Sequence, residues 1–316
     1  MCGLFGMFDI RGALTARQKT HMIQALARAS EVRGTDATGV AYMTHGKMQI
    51  YKRPLPAHRM RIRIPEDARA IMGHVRMVTQ GVAARNYNNH PWNARLSNGQ
   101  VFALAHNGVL RNDKQLKRQE HLPKTNIETD SYVAVQLLQK NGTLNLESLC
   151  KMAEQVEGSF TFTILESNNK LYFVRGDNPL CIRFYPEKGL YLYASTELIL
   201  ENAMLYIPYR LGCYETVACT CGEILCLDSL GNRNRASFDT GNLMTSWYST
   251  CAYWPYYDSR YNWGWEREQK EYIRLLKGMA RQRGLSDEDV DELLADGFTT
   301  DDIEELIYST PSLVRR

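Results

Sequence analysis

A cysteine follows directly after the initiator methionine, in the opening sequence Met-Cys-Gly-Leu-Phe-Gly. Removal of Met1 would leave Cys2 with a free α-amine beside its thiol. Such an amine has a pKa of about 7.7–8.0, so it can accept a proton near neutral pH. A side-chain nucleophile paired with its own N-terminal amine is a known catalytic arrangement, which makes Cys2 a candidate nucleophile. The alternative is an unreactive thiol buried in a strand.

Three further sites carry polar groups at the ends of predicted elements. Arg76 follows a predicted strand, where its guanidinium could bind a carboxylate through two hydrogen bonds or simply lie at a solvated strand end. Asn107 and Gly108 end another strand, so a side-chain amide and a backbone N–H could face one developing oxyanion; the alternative is an ordinary Asn-Gly turn. Asp130 opens a predicted helix, where it could hold an ammonium group or favour the helix N-terminus electrostatically.

Together these groups could bind an α-amino acid and attack its side-chain amide. In this order they resemble the class II glutamine amidotransferase domain, one of the N-terminal-nucleophile (Ntn) hydrolases. The resemblance covers about residues 2–230 and is greatest to the glutaminase halves of glucosamine-phosphate synthase and amidophosphoribosyltransferase. It is carried by Cys-Gly-Leu-Phe-Gly at 2–6, Arg-Gly-Thr-Asp-Ala-Thr-Gly at 33–39, Gly-His-Val-Arg at 73–76, Asn-Asn-His-Pro at 88–91, His-Asn-Gly at 106–108, Thr-Asp at 129–130 and Glu-Gly-Ser-Phe at 157–160.

The resemblance implies a reaction that needs neither a metal nor a cofactor. Cys2 would attack the side-chain amide of glutamine to form a γ-glutamyl thioester, which water then hydrolyses to glutamate. Asn107 and the Gly108 N–H would stabilise the oxyanion. The protein is therefore expected to be a glutaminase or glutamine amidotransferase.

The resemblance also assigns the groups that bind the substrate. Arg76, helped by Thr79, would bind the α-carboxylate of glutamine, and Asp130 with the Gly108 region would hold the α-ammonium group. Another γ-glutamyl compound would use the same groups, so an amidohydrolase of that kind is an alternative. A non-catalytic scaffold subunit with the same fold is a second alternative.

Four cysteines lie close together in the sequence, but they lack the Cys-x-x-Cys pairs that are typical of structural metal sites. We interpret them as thiols packed in strands, and we expect no metal. They are Cys213, Cys219, Cys221 and Cys226.

The elements that must position these groups alternate between strands and helices. Residues 3–10 read as a buried strand that would hold Cys2 at its start, and Thr15 caps a predicted helix over 16–30. More strands are predicted before and after helices at 129–140 and 145–156. This order predicts an α+β fold with mixed sheets and packed helices. The resemblance implies a four-layer αββα Ntn-hydrolase sandwich.

Composition divides the chain into three parts. We expect the amidotransferase domain over 2–240, a Trp/Tyr-rich connecting strap over 241–265 and a small helical extension over 266–316. Only 76 residues follow position 240, too few for a second domain that uses the ammonia. The ammonia would then go to a separate partner enzyme, or the protein is a free-standing glutaminase.

The extension combines a basic stripe at helical spacing with an acidic helical region that Ser286 can cap. It could dock an ammonia-accepting enzyme or another copy of the chain, or its basic and acidic parts could pack on each other. The stripe consists of Arg267, Lys270, Arg274, Lys277 and Arg281.

Bulk properties exclude several classes of function. The net charge of +3 favours neither nucleic acid nor a membrane surface as a partner. The sequence contains no apolar run of about 18 residues, and its N-terminus lacks the features of a signal peptide. These properties predict a cytoplasmic protein.

Overall fold

The computed structural model describes residues 2–243, residues 284–295 and the single positions 273, 277, 278, 280, 281, 303 and 306. The chain divides into two compact units, Met1–Ala252 and Tyr253–Arg316. The predicted strap lies outside the described residues from position 244 onward, and so does most of the predicted extension. No helix in the described part of the chain is long and apolar enough to cross a bilayer.

Two antiparallel sheets form the centre of the first unit. The first sheet contains, from edge to edge, β11 (Glu215–Thr216), β9 (Cys181–Tyr185), β10 (Leu190–Ala194), β1 (Gly3–Asp9), β4 (Ala70–Arg76), β2 (Ala37–Thr44) and β3 (Lys47–Arg53). The second contains β13 (Arg233–Ser237), β12 (Glu223–Leu227), β8 (Leu171–Arg175), β7 (Gly158–Glu166), β6 (Val101–Leu110) and β5 (Trp92–Arg95). The predicted α+β class is confirmed.

Helices cover the outer face of each sheet. The helices of this unit are α1 (Ala16–Ala29), α2 (Asp113–Gln119), α3 (Tyr132–Asn141), α4 (Leu146–Gln155) and α5 (Glu197–Met204). Apolar side chains of α1 and α5 pack on the first sheet, and those of α3 and α4 pack on the second.

Alternation along each strand supplies the side chains between the sheets. In β1, Phe5 and Met7 face the helices, whereas Leu4 and Phe8 join the cluster between the sheets. The order of layers is therefore helix, sheet, sheet, helix.

Helix α1 begins where the sequence predicts. The Thr15 side chain accepts a hydrogen bond from the Gln18 N–H, and the Gln18 side chain accepts one from the Thr15 N–H, which forms a capping box. Met22, Ile23 and Leu26 lie on its buried face. This cap and apolar stripe fix which side of the helix faces β1.

A lysine also lies on that buried face. Helical spacing places position 19 there, three and four residues before Met22 and Ile23, but a charged side chain is not expected in a core. Lys19 and Asp9 are fully buried, with Nζ 3.2 Å from the Asp9 Oδ2 atom. Nζ also donates to the carbonyls of Glu66 at 2.6 Å and Ala68 at 2.8 Å. The Asp9 carboxylate accepts from the N–H of Leu14 at 3.0 Å. The pair ties α1 to the end of β1, and its polar atoms are satisfied from several elements.

The second unit contains α6 (Asp287–Ala295), capped as predicted by Ser286, whose hydroxyl accepts from the Asp289 N–H at 3.1 Å. Arg281 pairs with Asp287 at 2.6 Å and Lys277 with Asp291 at 2.7 Å. Two cations of the predicted basic stripe therefore pair with acidic residues of α6, as the alternative of mutual packing expects.

We predict that Lys19→Met strongly destabilises the protein, because it leaves the Asp9 carboxylate buried without its cation. The free energy of unfolding falls by about 3–5 kcal/mol, as measured by urea denaturation. Arg17→Met is the matched control, since Arg17 is exposed on the same helix; its effect stays within about 0.5 kcal/mol. Equal effects of the two substitutions would contradict a structural role for the buried pair.

Candidate active site

Cys2 stands immediately before β1, which lies between β10 and β4 near the middle of the first sheet. Its thiol donates to the carbonyl of Met77 at 3.5 Å, and Arg33 Nε donates to the Cys2 carbonyl at 2.8 Å. Burial raises the pKa of the Cys2 thiol; the hydrogen bond to Met77 and the positive charges of Arg76 and Arg33 oppose that rise. Cys2 therefore needs a nearby base to become a thiolate.

The stretch at 33–36 holds the end of β4 beside this thiol. Gly34 approaches so closely that a Cβ atom would lie 2.4 Å from the Arg76 carbonyl carbon. The Asp36 N–H donates to the Arg76 carbonyl at 3.0 Å, and the Asp36 carboxylate accepts from the Val78 N–H at 2.7 Å. Sequence reasoning found this stretch as a motif but assigned it no task.

Arg76 is buried, with only 3% of its surface exposed. Its Nη1 donates to Asn89 Oδ1 at 2.7 Å, and its Nη2 donates to the carbonyls of Gln80 and, at 3.5 Å, of Gly81. Burial lowers the pKa of Arg76, and the nearby thiol and carboxylates oppose that shift. Backbone carbonyls of its own loop thus occupy one edge of the predicted carboxylate clamp.

Thr79 is exposed on the same loop, and its side chain forms no hydrogen bond with the residues that the structure describes. The structure therefore places Thr79 near Arg76 along the chain but does not bring the two side chains into contact. Its predicted help in binding a carboxylate would need the loop to change conformation.

Asn107 and Gly108 lie in β6, where the backbone requires a glycine. Gly108 has a φ of 142°, and a Cβ atom there would lie 1.9 Å from the Ser159 carbonyl oxygen. The Asn107 side chain is fully buried, yet neither its Nδ2 nor its Oδ1 atom has a hydrogen-bond partner among the described residues. Such an amide costs stability in the folded protein, and it is free to donate to a bound group.

Asp130 is buried and supports the end of β6. Its Oδ2 accepts from the Leu110 N–H at 2.6 Å, and its Oδ1 accepts a longer bond, at 3.4 Å, from the Ser131 hydroxyl. Helix α3 starts only at Tyr132, so the start predicted at 129 is wrong by three residues. Asp130 uses its carboxylate on a neighbouring strand, and that contact lies outside what helix periodicity can reveal.

Three buried histidines connect the two sheets under these groups. His74 Nε2 donates to the His106 carbonyl at 2.9 Å, and His106 Nδ1 lies 2.7 Å from the Ser131 hydroxyl. The His90 ring packs edge-on between His74 and Trp92, with centroid distances of 4.1 and 3.9 Å. No cluster that could ligate a metal occurs in the part of the chain that the structure describes.

Burial keeps these rings neutral at neutral pH. It lowers the pKa of His74 to about 3 and that of His106 to about 4, in the latter case against the attraction of Asp130. The pKa of His90 is also lowered well below its ordinary value, and neither of its ring nitrogens has a partner among the described residues. The hydrogen bond to the His106 carbonyl then assigns the His74 proton to Nε2.

The arrangement places a half-buried thiol, a buried guanidinium, a carboxylate and an amide without a partner among the described residues where β1, β4 and β6 approach one another. A thiol can attack a carbonyl carbon, and amide N–H groups can stabilise the oxyanion that forms. A guanidinium and a carboxylate suit the two charged ends of an amino acid.

Comparison with known proteins finds relatives named glutamine–fructose-6-phosphate aminotransferase [isomerizing]. The one from Sulfurisphaera tokodaii is 30% identical over 218 residues, which are 66% of this chain and 34% of the relative. The one from Staphylococcus epidermidis is 30% identical over 193 residues, 58% of this chain and 30% of the relative. The chain thus matches about a third of the length of these relatives. No protein-family model matches the chain.

A solved structure supports the fold. Glutamine phosphoribosylpyrophosphate amidotransferase from B. subtilis, complexed with ADP and GMP, superposes with a TM-score of 0.59 at 21% identity. The match covers 76% of this chain and 50% of that chain. At this identity the likeness establishes the arrangement of the sheets and helices.

We predict that Asn107→Leu stabilises the protein, because leucine has a similar size and removes two unsatisfied polar atoms. The free energy of unfolding rises by about 1–3 kcal/mol in urea denaturation. Asn112→Leu is the control, since the Asn112 amide donates to the Gln155 carbonyl and accepts from the Glu157 N–H; this variant loses about 1–3 kcal/mol. Similar losses in both variants would show that Asn107 also holds the fold.

We predict that stability falls as the pH drops below about 6.5. The unfolded chain then protonates its histidines while the folded chain keeps His74, His90 and His106 neutral, so each contributes a slope of about 1.4 kcal/mol per pH unit. The contribution is complete above the unfolded pKa and is lost as the pH falls toward the folded values.

The variant that tests this slope is His90→Phe, which keeps the ring packing and breaks no hydrogen bond. Urea denaturation at pH 7, 6 and 5 gives the free energy of unfolding at each pH. In this variant its dependence on pH should be smaller by the contribution of about one proton. An unchanged slope in His90→Phe would contradict the assignment of a neutral buried ring.

Proposed function

We infer that this chain, a member of the class II glutamine amidotransferases of the Ntn type, hydrolyses the side-chain amide of glutamine to glutamate and ammonia. The observation that carries this proposal is the buried amide of Asn107, which has no partner among the described residues. It lies on β6, which approaches β1 and β4 where Cys2 precedes β1 and Arg76 ends β4. Its relatives are named as enzymes that use glutamine, although the chain spans only about a third of them.

The proposed reaction begins with removal of Met1. The freed α-amine takes the proton of the Cys2 thiol, and the sulfur attacks the amide carbon of the substrate. The oxyanion accepts hydrogen bonds from Asn107 Nδ2 and the Gly108 N–H. When the C–N bond breaks, the ammonium form of the amine returns a proton and ammonia leaves, which produces a γ-glutamyl thioester. The amine then takes a proton from water, and the hydroxide attacks the thioester carbon. The C–S bond breaks, glutamate leaves, and the ammonium form of the amine returns the proton to the Cys2 sulfur.

The proposed substrate contacts follow from the charges of the site. A carboxylate would bind Arg76 in place of the Gln80 and Gly81 carbonyls, with Thr79 joining it once the loop moves. Asp130 Oδ1, which holds only one long hydrogen bond, is available to an α-ammonium group. The Gly108 backbone would complete that contact.

The proposed function also includes a division of the chain into three parts and an acceptor for the ammonia. We propose an amidotransferase domain over 2–240, a strap over 241–265 and a helical extension over 266–316. The relatives are named aminotransferases, and this chain matches only a third of each. We propose that the ammonia passes to a separate acceptor enzyme, and that the extension docks that enzyme or a second copy of the chain.

We predict that Cys2→Ala abolishes ammonia release from glutamine, because alanine has no sulfur that can form the thioester. Asn107→Leu lowers kcat about 100- to 1000-fold and leaves KM for glutamine nearly unchanged, since the lost hydrogen bond forms to the oxyanion. Both rates are measured by release of glutamate and ammonia, with γ-glutamyl amides as competing substrates. A clear preference for those amides would show that a γ-glutamyl amide, and not glutamine, is the substrate.

Intact-mass analysis tests the nucleophile itself. After incubation with a diazoketone analogue of glutamine, the wild-type chain should lack Met1 and carry one label on Cys2. The control Cys213→Ala changes an exposed thiol and keeps both labelling and activity. If the chain retains Met1, stays unlabelled and releases no ammonia, the proposed function is contradicted.

A further inference from the structure

A cavity of about 400 Å³ lies beside the segment that supports Arg76. This volume falls within the range of pockets that bind small molecules. Its walls are mainly aromatic and aliphatic, and Trp92 packs edge-on against Tyr132 with a centroid distance of 5.6 Å. Tyr87 stands at the opening, with 43% of its surface exposed. These walls suit a flat or apolar ligand body.

Two cations line the same cavity, and no aspartate or glutamate of the described residues does. Lys52 Nζ donates to the carbonyls of Asn89 at 2.6 Å and Pro91 at 3.0 Å, which leaves its third N–H available. No carboxylate of the described residues forms an ion pair with it. Burial and the charge of Arg76 lower the pKa of Lys52 to about 8. A partly buried ammonium without a counter-ion is unusual, because desolvation of a charge is normally offset by an anion.

Arg53 provides the second charge at the rim. It is exposed, its guanidinium stacks over Tyr51 at 5.0 Å, and Nη1 donates to the Lys52 carbonyl at 3.0 Å. Its remaining N–H groups are available to a ligand. A guanidinium and an ammonium at one opening suit a carboxylate or a phosphate group.

We propose that this cavity binds a small aromatic anion, whose ring packs on Trp92 and Tyr132 and whose charged group pairs with Lys52 and Arg53. The aromatic ring of the ligand matches the aromatic walls of the cavity, and its negative charge matches the two cations at the opening. Neither an inorganic anion nor a neutral ring would satisfy both.

The cavity is connected to the predicted carboxylate clamp by three asparagine contacts. The Asn86 amide donates to the Lys52 carbonyl at 3.0 Å and accepts from Asn89 Nδ2 at 3.2 Å. Asn89 Oδ1 accepts from Arg76 Nη1 at 2.7 Å. A ligand that draws Lys52 away from the carbonyls of 89 and 91 loosens the support of Arg76. It should therefore raise KM for glutamine, a consequence that rests on the proposed function.

Calorimetric titration of the full chain with phenyl phosphate tests the site directly. We expect a Kd of about 1 mM or lower, and binding at least about tenfold weaker for inorganic phosphate and for phenol. Lys52→Met and Arg53→Met should each raise the Kd for phenyl phosphate about tenfold. Lys47→Met, at the opposite, exposed end of the same strand, is the matched control and should leave it unchanged.

The outcomes separate the site from the proposed function. Equal binding of phosphate and phenyl phosphate, or an unchanged Kd in both Lys52→Met and Arg53→Met, would overturn the site. Arg53→Met keeps this test valid if Lys52→Met disturbs the fold, because Arg53 is exposed. Ligand binding without any glutaminase activity would support the site and overturn the proposed function. Activity with a KM that phenyl phosphate does not change would overturn the coupling to Arg76.

Discussion

The hydrogen bond from His74 to the carbonyl of His106 joins the two sheets at the point where the candidate site is built. Two residues beyond His74 stands Arg76, and directly after His106 stands Asn107. Because these pairs share a strand, the distance between the two sheets sets the distance between the guanidinium and the amide. Burial lowers the pKa of His74 to about 3, so the ring makes this contact as a neutral donor at neutral pH.

The site costs the fold stability, and other parts of the molecule offset that cost. The amide of Asn107 and both ring nitrogens of His90 are buried without partners among the described residues. The buried pair of Lys19 and Asp9 is, by contrast, satisfied from several elements. Other buried polar atoms without a partner among the described residues lie away from the site, such as Gln136 Oε1 and Arg183 Nε. The unpaired amide of Asn107 is the one that a ligand at the candidate site could satisfy.

Sequence patterns predicted those features that depend on neighbouring residues. The Thr15 cap and the apolar face of α1 follow from spacing alone, and so does the strand that begins after Cys2. The predicted site residues Arg76, Asn107 and Asp130 proved to be buried, but their roles in binding and catalysis stay predictions. Contacts between distant segments were not visible: nothing indicated that Lys19 pairs with Asp9 or that Asn89 holds Arg76. Such contacts depend on which elements meet in space.

The loop after Arg76 has a consequence for selectivity. Its carbonyls already satisfy one edge of the guanidinium, so any incoming group competes with the protein's own backbone. A neutral amide or hydroxyl would exchange one ordinary hydrogen bond for another and gain little. Under the proposed function, the carboxylate of the substrate adds charge to the same geometry and would replace the carbonyls. The loop would then act as an internal competitor that admits an anion and rejects neutral groups.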